Sequence, residues 1–111
     1  MKISIEEKKP GTYVITLEGE MDMSTSPDVR DHLVPIFRKE ARSVIVDLSG
    51  VSYTDSSGIA TLVEGLQLSR KGNVDFALVG VRPSVEAVFE LAYLKDVFKM
   101  VPQLEQVLEG G

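Results

Sequence analysis

Ser43-Val44-Ile45-Val46-Asp47-Leu48-Ser49-Gly50-Val51-Ser52-Tyr53-Thr54-Asp55-Ser56-Ser57-Gly58-Ile59 decides the reading of this chain. Ser43 to Leu48 is a short, nearly continuous apolar run, as expected of a central strand buried on both faces of a helix-covered sheet. From Ile59 the period changes. Ile59, Leu62, Val63 and Leu66 recur at helical spacing, with Glu64, Gln67, Arg70 and Lys71 on the other side, until Gly72 offers a C-terminal stop.

Upstream, Lys2 to Glu7 alternates through Ile3 and Ile5, Pro10-Gly11 signals a turn, and Thr12 to Glu18 alternates again through Tyr13, Ile15 and Leu17. Two strands joined by a hairpin are expected, the second ending at Gly19. Ser24, Thr25 or Ser26 can cap a first helix over about Pro27 to Lys39, with Val29, Leu33, Ile36 and Phe37 on one face. Pro35 inside that pattern removes a backbone donor and should bend or shorten the helix. Downstream, Phe76 to Val79 reads as a strand, and Pro83 opens a helix with Val85, Val88, Phe89 and Ala92 inward. A short strand near Val97 to Val101 and a helix from Pro102 to about Leu108 complete the chain. The order β-β-α-β-α-β-α-β-α calls for an α/β class with a mainly parallel sheet and crossover helices.

At 111 residues the chain has the length of one domain, 1–111, and its 43% hydrophobic and 26% charged residues suit a globular fold. No apolar run is long enough to span a bilayer, and Met1 to Pro10 is rich in Glu and Lys, so a cytoplasmic location without membrane insertion is expected. A net charge of −5 argues against nucleic acid or anionic lipid as partner, and the absence of cysteine excludes disulfides and thiolate chemistry. A protein or a small molecule is the expected partner.

Asp55, Ser56 and Ser57 fall where the second helix begins, in a loop after the carboxyl end of a strand, where α/β sheets place binding sites. One reading is structural: a polar trio before an apolar helix caps its free N–H groups. The other is functional. A helix N-terminus tolerates a phosphate, whose roughly two negative charges would be felt by whatever docks there rather than by the fold.

The Asp47-Leu48-Ser49 strand end, the Val51-Ser52-Tyr53 step and Asp55-Ser56-Ser57-Gly58-Ile59 together resemble the signature of the STAS family. The resemblance extends upstream to Leu17-Glu18-Gly19-Glu20-Met21-Asp22 and downstream through Phe76 to Val81, Val88-Phe89, Leu91 and Leu94 to Phe98. It implies a STAS-like single domain with a mainly parallel sheet of four to five strands, an N-terminal hairpin strand and about four helices. For anti-sigma factor antagonists of this family it further implies phosphorylation of Ser56 by a partner that is both serine/threonine kinase and anti-sigma factor. The unphosphorylated form would bind that partner and free a sigma factor, and a phosphatase would restore Ser56. On the same resemblance Asp22 and Asp55 help recognition or order the loop, Ser57 caps the helix, Gly58 allows close backbone approach, and Glu20 stands second to these. The family also includes subunits that regulate ABC-type lipid or anion transporters, the alternative reading.

Rival chemistries lack parts. A serine hydrolase needs a base near Ser56, but the only histidine is His32 and there is no Gly-x-Ser-x-Gly elbow, so no enzyme activity is expected. Asp47 ends a strand as a receiver phosphoacceptor would, without the acidic pair or lysine that such a site needs, and is read as capping its own loop. Neither phosphate-binding glycine motif is present, so no cofactor is implied.

Overall fold

In the computed structural model, which describes residues 1–110, the paired strands β1 (Lys2–Lys9) and β2 (Thr12–Met21) form the expected hairpin. There follow α1 (Ser26–Leu33), a 3-10 turn (Val34–Arg38), β3 (Ser43–Thr54), α2 (Ser56–Gly72), β4 (Asp75–Val79) and α3 (Pro83–Leu91). A second 3-10 turn (Lys95–Val97), β5 (Lys99–Val101) and α4 (Leu104–Gly110) end the described chain. The five strands lie in sequence order, β1 antiparallel to β2 and every later pair parallel, which is the α/β architecture expected.

Strictly sequential parallel order has a consequence for layering. Crossovers of one hand that never reverse direction put every connecting helix on the same face. Accordingly Ile15, Leu17, Val44, Val46, Leu48 and Leu78 share one core with Val29, Leu33, Leu62, Val85 and Phe89 from α1, α2 and α3. The alternate residues Val14, Ile45 and Val79 face the other way, where Leu104, Val107 and Leu108 of α4 cover them. The run Val44-Ile45-Val46 is thus buried on both faces, as its composition requires.

Several boundaries differ from expectation, each for a local reason. β2 does not stop at Gly19 but passes through it at φ +120°, a conformation that glycine takes without strain, and continues to Met21. β3 runs six residues past Leu48 to Thr54, its register against β2 slipping between Thr16 and Glu18 and again between Gly19 and Glu20. These bulges turn Ser49-Gly50 and Ser52-Tyr53, which look like loop, into strand. Asp47 caps its own bend as expected, its Oδ1 accepting the Ser49 N–H at 2.9 Å and the Ser49 hydroxyl at 2.7 Å. Pro35 shortens the first helix to Leu33 and sits in the first turn of the 3-10 segment, where its missing N–H costs nothing.

At the far end of α2 the left-handed stop is Asn73 rather than Gly72. Ala92, expected inward, is exposed because α3 ends at Leu91 and Tyr93 turns left-handed at φ +58°. The final helix begins at Leu104 rather than Pro102. Among the described residues no helix is long and apolar enough to cross a membrane.

Phe89 is fully buried and meets the edge of Phe98 with ring centroids 5.3 Å apart, so it joins α3 to the segment that leads into β5. Phe89→Ala should lower stability by about 3–5 kcal/mol in urea denaturation, because the cavity it leaves cannot collapse. A loss below about 1 kcal/mol would show that α3 does not hold the sheet in this way.

Candidate functional site

The last parallel rung of β2 and β3 pairs Met21 with Thr54, and the Asp55 N–H extends it by donating to the Met21 carbonyl at 3.1 Å. Met21 is fully buried and fixes the rung to the core. The next residues out, Asp22 and Asp55, therefore emerge side by side at the carboxyl ends of neighbouring strands. That is where parallel sheets present their loops.

Asp22 orders the loop behind it. Its Oδ1 accepts the Ser24 N–H at 2.9 Å, the Ser24 hydroxyl at 2.6 Å and the Thr25 N–H at 3.2 Å. Thr25 occupies the cap position of α1, but its hydroxyl donates to the Glu20 carbonyl at 2.8 Å, so none of the three expected hydroxyls caps that helix. The Ser24 hydroxyl is the chief cause that holds the Asp22 carboxyl below the usual range.

Asp55, not Ser57, caps α2. It has extended backbone angles, φ −109° and ψ −171°, and its Oδ1 accepts the N–H groups of Ser57 and Gly58 at 2.9 and 3.4 Å. Ser57 instead donates its hydroxyl to the same oxygen, which is the main reason the Asp55 carboxyl is lowered, against the opposing charge of Asp22. Ser57 also lies 2.9 Å from the buried Ser26 hydroxyl, and Ser26 is 2.7 Å from the Asp22 carbonyl. The Ser26 hydroxyl donates to the Asp22 carbonyl and the Ser57 hydroxyl to Asp55, and the two hydroxyl oxygens are in contact with each other. The chain of oxygens ties the start of α1 to the start of α2.

Ser56 stands apart from these bonds. It is the first residue of α2, exposed, and its hydroxyl takes no part in the network around it. Gly58 is buried: a Cβ there would strike the Thr54 hydroxyl and come within 2.8 Å of Met21, so it sets the seat of the helix rather than facing outward. Glu20 is exposed, and its side chain lies outside the loop's hydrogen bonds. His32 is exposed on α1, with Nδ1 2.7 Å from the Asp28 carbonyl, far in sequence and role from Ser56.

Sequence reasoning missed two parts of this surface. Met23, in the loop after Asp22, and Tyr53, near the end of β3, are 78% and 48% exposed and add apolar surface to the polar site. Arg30 of α1 and Glu64 of α2 form a two-pronged ion pair, 2.7 and 2.9 Å, that locks the helices together beside it. A pair 34 residues apart leaves no signal in one sequence. Cavities of about 620 and 430 Å3 occur in the structure, and neither is lined by Asp22, Asp55 or Ser56. No cluster of metal-ligating side chains is found among the described residues. The site is a hydrogen-bonded surface that belongs to neither of these cavities.

The STAS domain model matches residues 4–107. An anti-sigma-B factor antagonist of Staphylococcus aureus is 31% identical over 85 residues, covering 77% of this chain and 79% of that one. Among solved structures, a putative anti-sigma factor antagonist of Thermotoga maritima superposes with a TM-score of 0.89 at 18% identity, covering 97% and 92% of the two chains. The anti-sigma factor antagonist SpoIIAA in its unphosphorylated form gives 0.83 at 20% identity, covering 99% and 98%. The Bacillus SpoIIAA in its phosphorylated form gives 0.77 at 19% identity, covering 99% and 100%. At these identities the solved structures establish the fold.

Asp22 and Asp55 give the site a pH signature. Both carboxyls titrate lower in the folded chain than at their ordinary value, so on acidification the unfolded state takes up protons first. Their contribution to stability is present above the unfolded value of about 3.9 and is lost as pH falls through the lowered folded values. Asp55→Asn should keep most of the thermal stability at neutral pH, since Asn caps as well as Asp, and should flatten the acid-denaturation curve. Asp55→Ala should lose thermal stability at every pH. Equal stability of the two variants at pH 7 would rule out the cap.

Proposed function

Since the chain belongs to the STAS domain family, we propose that it is an anti-sigma factor antagonist whose grip on an anti-sigma factor with serine/threonine kinase activity is released by phosphorylation of Ser56. The observation that carries this reading is the contrast between the two adjacent serines. The Ser57 proton is committed to Asp55, and Ser57 links α1 to α2, whereas the Ser56 hydroxyl is exposed and bonded to nothing around it. A phosphoryl group can move from ATP to Ser56 Oγ, with loss of the hydroxyl proton and release of ADP, without breaking any hydrogen bond of the cap.

The docking surface comprises Asp22, Asp55, Ser56 and the half-buried Ser57, bordered by Met23 and Tyr53 and shaped from beneath by Gly58. Exposed Met and aromatic side chains such as these are enriched at surfaces that bind proteins. Unphosphorylated, this surface holds the kinase and a sigma factor goes free; phosphorylated, it is repelled, and a phosphatase resets it. On this reading the chain works in the cytoplasm as a binding switch and catalyses nothing itself. The S. aureus relative's name as an anti-sigma-B factor antagonist supports the assignment, as does the persistence of this fold in SpoIIAA with and without phosphate.

Ser56→Asp tests the switch. At the N-terminus of α2 one added negative charge is favoured by a few tenths to about 1 kcal/mol, so the fold should survive. At the docked interface the same charge must be desolvated or face like charge, a mismatch that commonly costs about 2–5 kcal/mol. Calorimetry with the kinase partner should therefore show at least about tenfold weaker binding, with the thermal midpoint nearly unchanged and with Ser56→Ala still binding. Undiminished affinity of a folded Ser56→Asp protein would sink the proposal.

A further inference from the structure

Because α1, α2 and α3 share one face of the sheet, the opposite face is roofed by α4 alone, and a half-open cavity of about 620 Å3 remains beneath that roof. It lies at the end of the sheet where β2, β3, β4 and β5 begin, with Thr12, Ser43, Asp75 and Lys99 along its length. The Ser56 surface is at the other end, where β2 and β3 finish. The volume is within the range of about 300–1,000 Å3 that small-molecule ligands occupy.

The lining divides by chemistry. Ile45, Ala77 and Val101 form an apolar floor, and Val107 and Leu108 of α4 form an apolar wall. Lys9, Arg42 and Lys99 stand at the rim, all exposed, and among the described residues none of them is in an ion pair. Asp75 is the one acid in the lining. The Lys9 ammonium donates to the Leu108 carbonyl at 3.4 Å, so the rim is tied directly to the wall. A chain of net charge −5 thus gathers three cations against one acid around an apolar slot.

An apolar slot with a cationic mouth suits one kind of occupant. A bare inorganic anion would leave the apolar walls facing water, and a neutral chain would leave the cations without a partner. We propose that this cavity binds a medium-chain fatty carboxylate, its tail between the sheet and α4 and its carboxylate among Lys9, Arg42 and Lys99.

The test uses the full chain and decanoate below its micelle concentration, followed by calorimetry and by amide NMR shifts. Decanoate should bind one to one, with shifts at Ile45, Ala77, Val101 and α4 and none at Asp55 to Gly58. Decyltrimethylammonium, with the same tail and opposite charge, and inorganic phosphate, a head without a tail, should each bind at least about tenfold more weakly. The double variant Arg42→Glu, Lys99→Glu should lose at least about tenfold in decanoate affinity while Phe89 and its neighbours keep their native shifts. The proposal is overturned if decanoate shows no saturable binding, if decyltrimethylammonium binds equally well, or if the shifts centre on the Ser56 end. Should the double variant fail to fold, the comparison of the three probes on the native chain still decides between these outcomes.

Discussion

The hydrogen bond from the Asp55 N–H to the Met21 carbonyl, 3.1 Å, is the constraint on which the functional surface depends. It prolongs the parallel pairing of β2 and β3 by one residue, so two aspartates leave neighbouring strands together. Each then spends its carboxylate on local N–H and hydroxyl donors: Asp22 on Ser24 and Thr25, Asp55 on Ser57 and Gly58. Buried Met21 and Gly58 hold this arrangement from below, where even a methyl group on Gly58 would collide. The donors named here are satisfied within the loops themselves.

Because the Ser56 hydroxyl lies outside these bonds, a modification there would leave the cap of α2 intact. A phosphate at the first residue of α2 meets the positive end of the helix dipole, which offsets part of its charge, while Asp55 keeps the Ser57 and Gly58 N–H groups. Asp22 and Asp55 already place negative charge close by, so a partner docked there would meet a more strongly acidic patch after modification. The same group on Ser57 would break the link through Ser26 that joins α1 to α2. Adjacent hydroxyls of identical chemistry thus differ in what each is bonded to.

The class and element order were legible because the apolar residues follow the two periods cleanly: Val44-Ile45-Val46 is apolar on both sheet faces, and Ile59, Leu62 and Leu66 mark one side of α2. Where periodicity ends, legibility ends with it. The second half of β3 reads as loop since Ser49, Gly50 and Ser52 are turn formers, and only pairing with β2 through two bulges makes it strand. The capping residue of α2 was located to a trio but not to Asp55, because that choice rests on a single extended backbone position. Ser56 itself was marked by resemblance to a family, while its exposure and its absence from the hydrogen-bond network came from the fold. The Arg30–Glu64 clamp and the exposed flanks Met23 and Tyr53 depend on distant segments meeting, which one sequence does not record.

The central claim of the proposal is that Ser56, rather than its hydrogen-bonded neighbour Ser57, accepts the phosphoryl group. Incubation of the chain with ATP and the serine kinase recovered with it from its own cells, followed by site mapping by mass spectrometry, addresses this most directly. The account predicts one phosphate, on Ser56. Phosphate on Ser57, Ser52 or Asp47, with Ser56 unmodified, would contradict it.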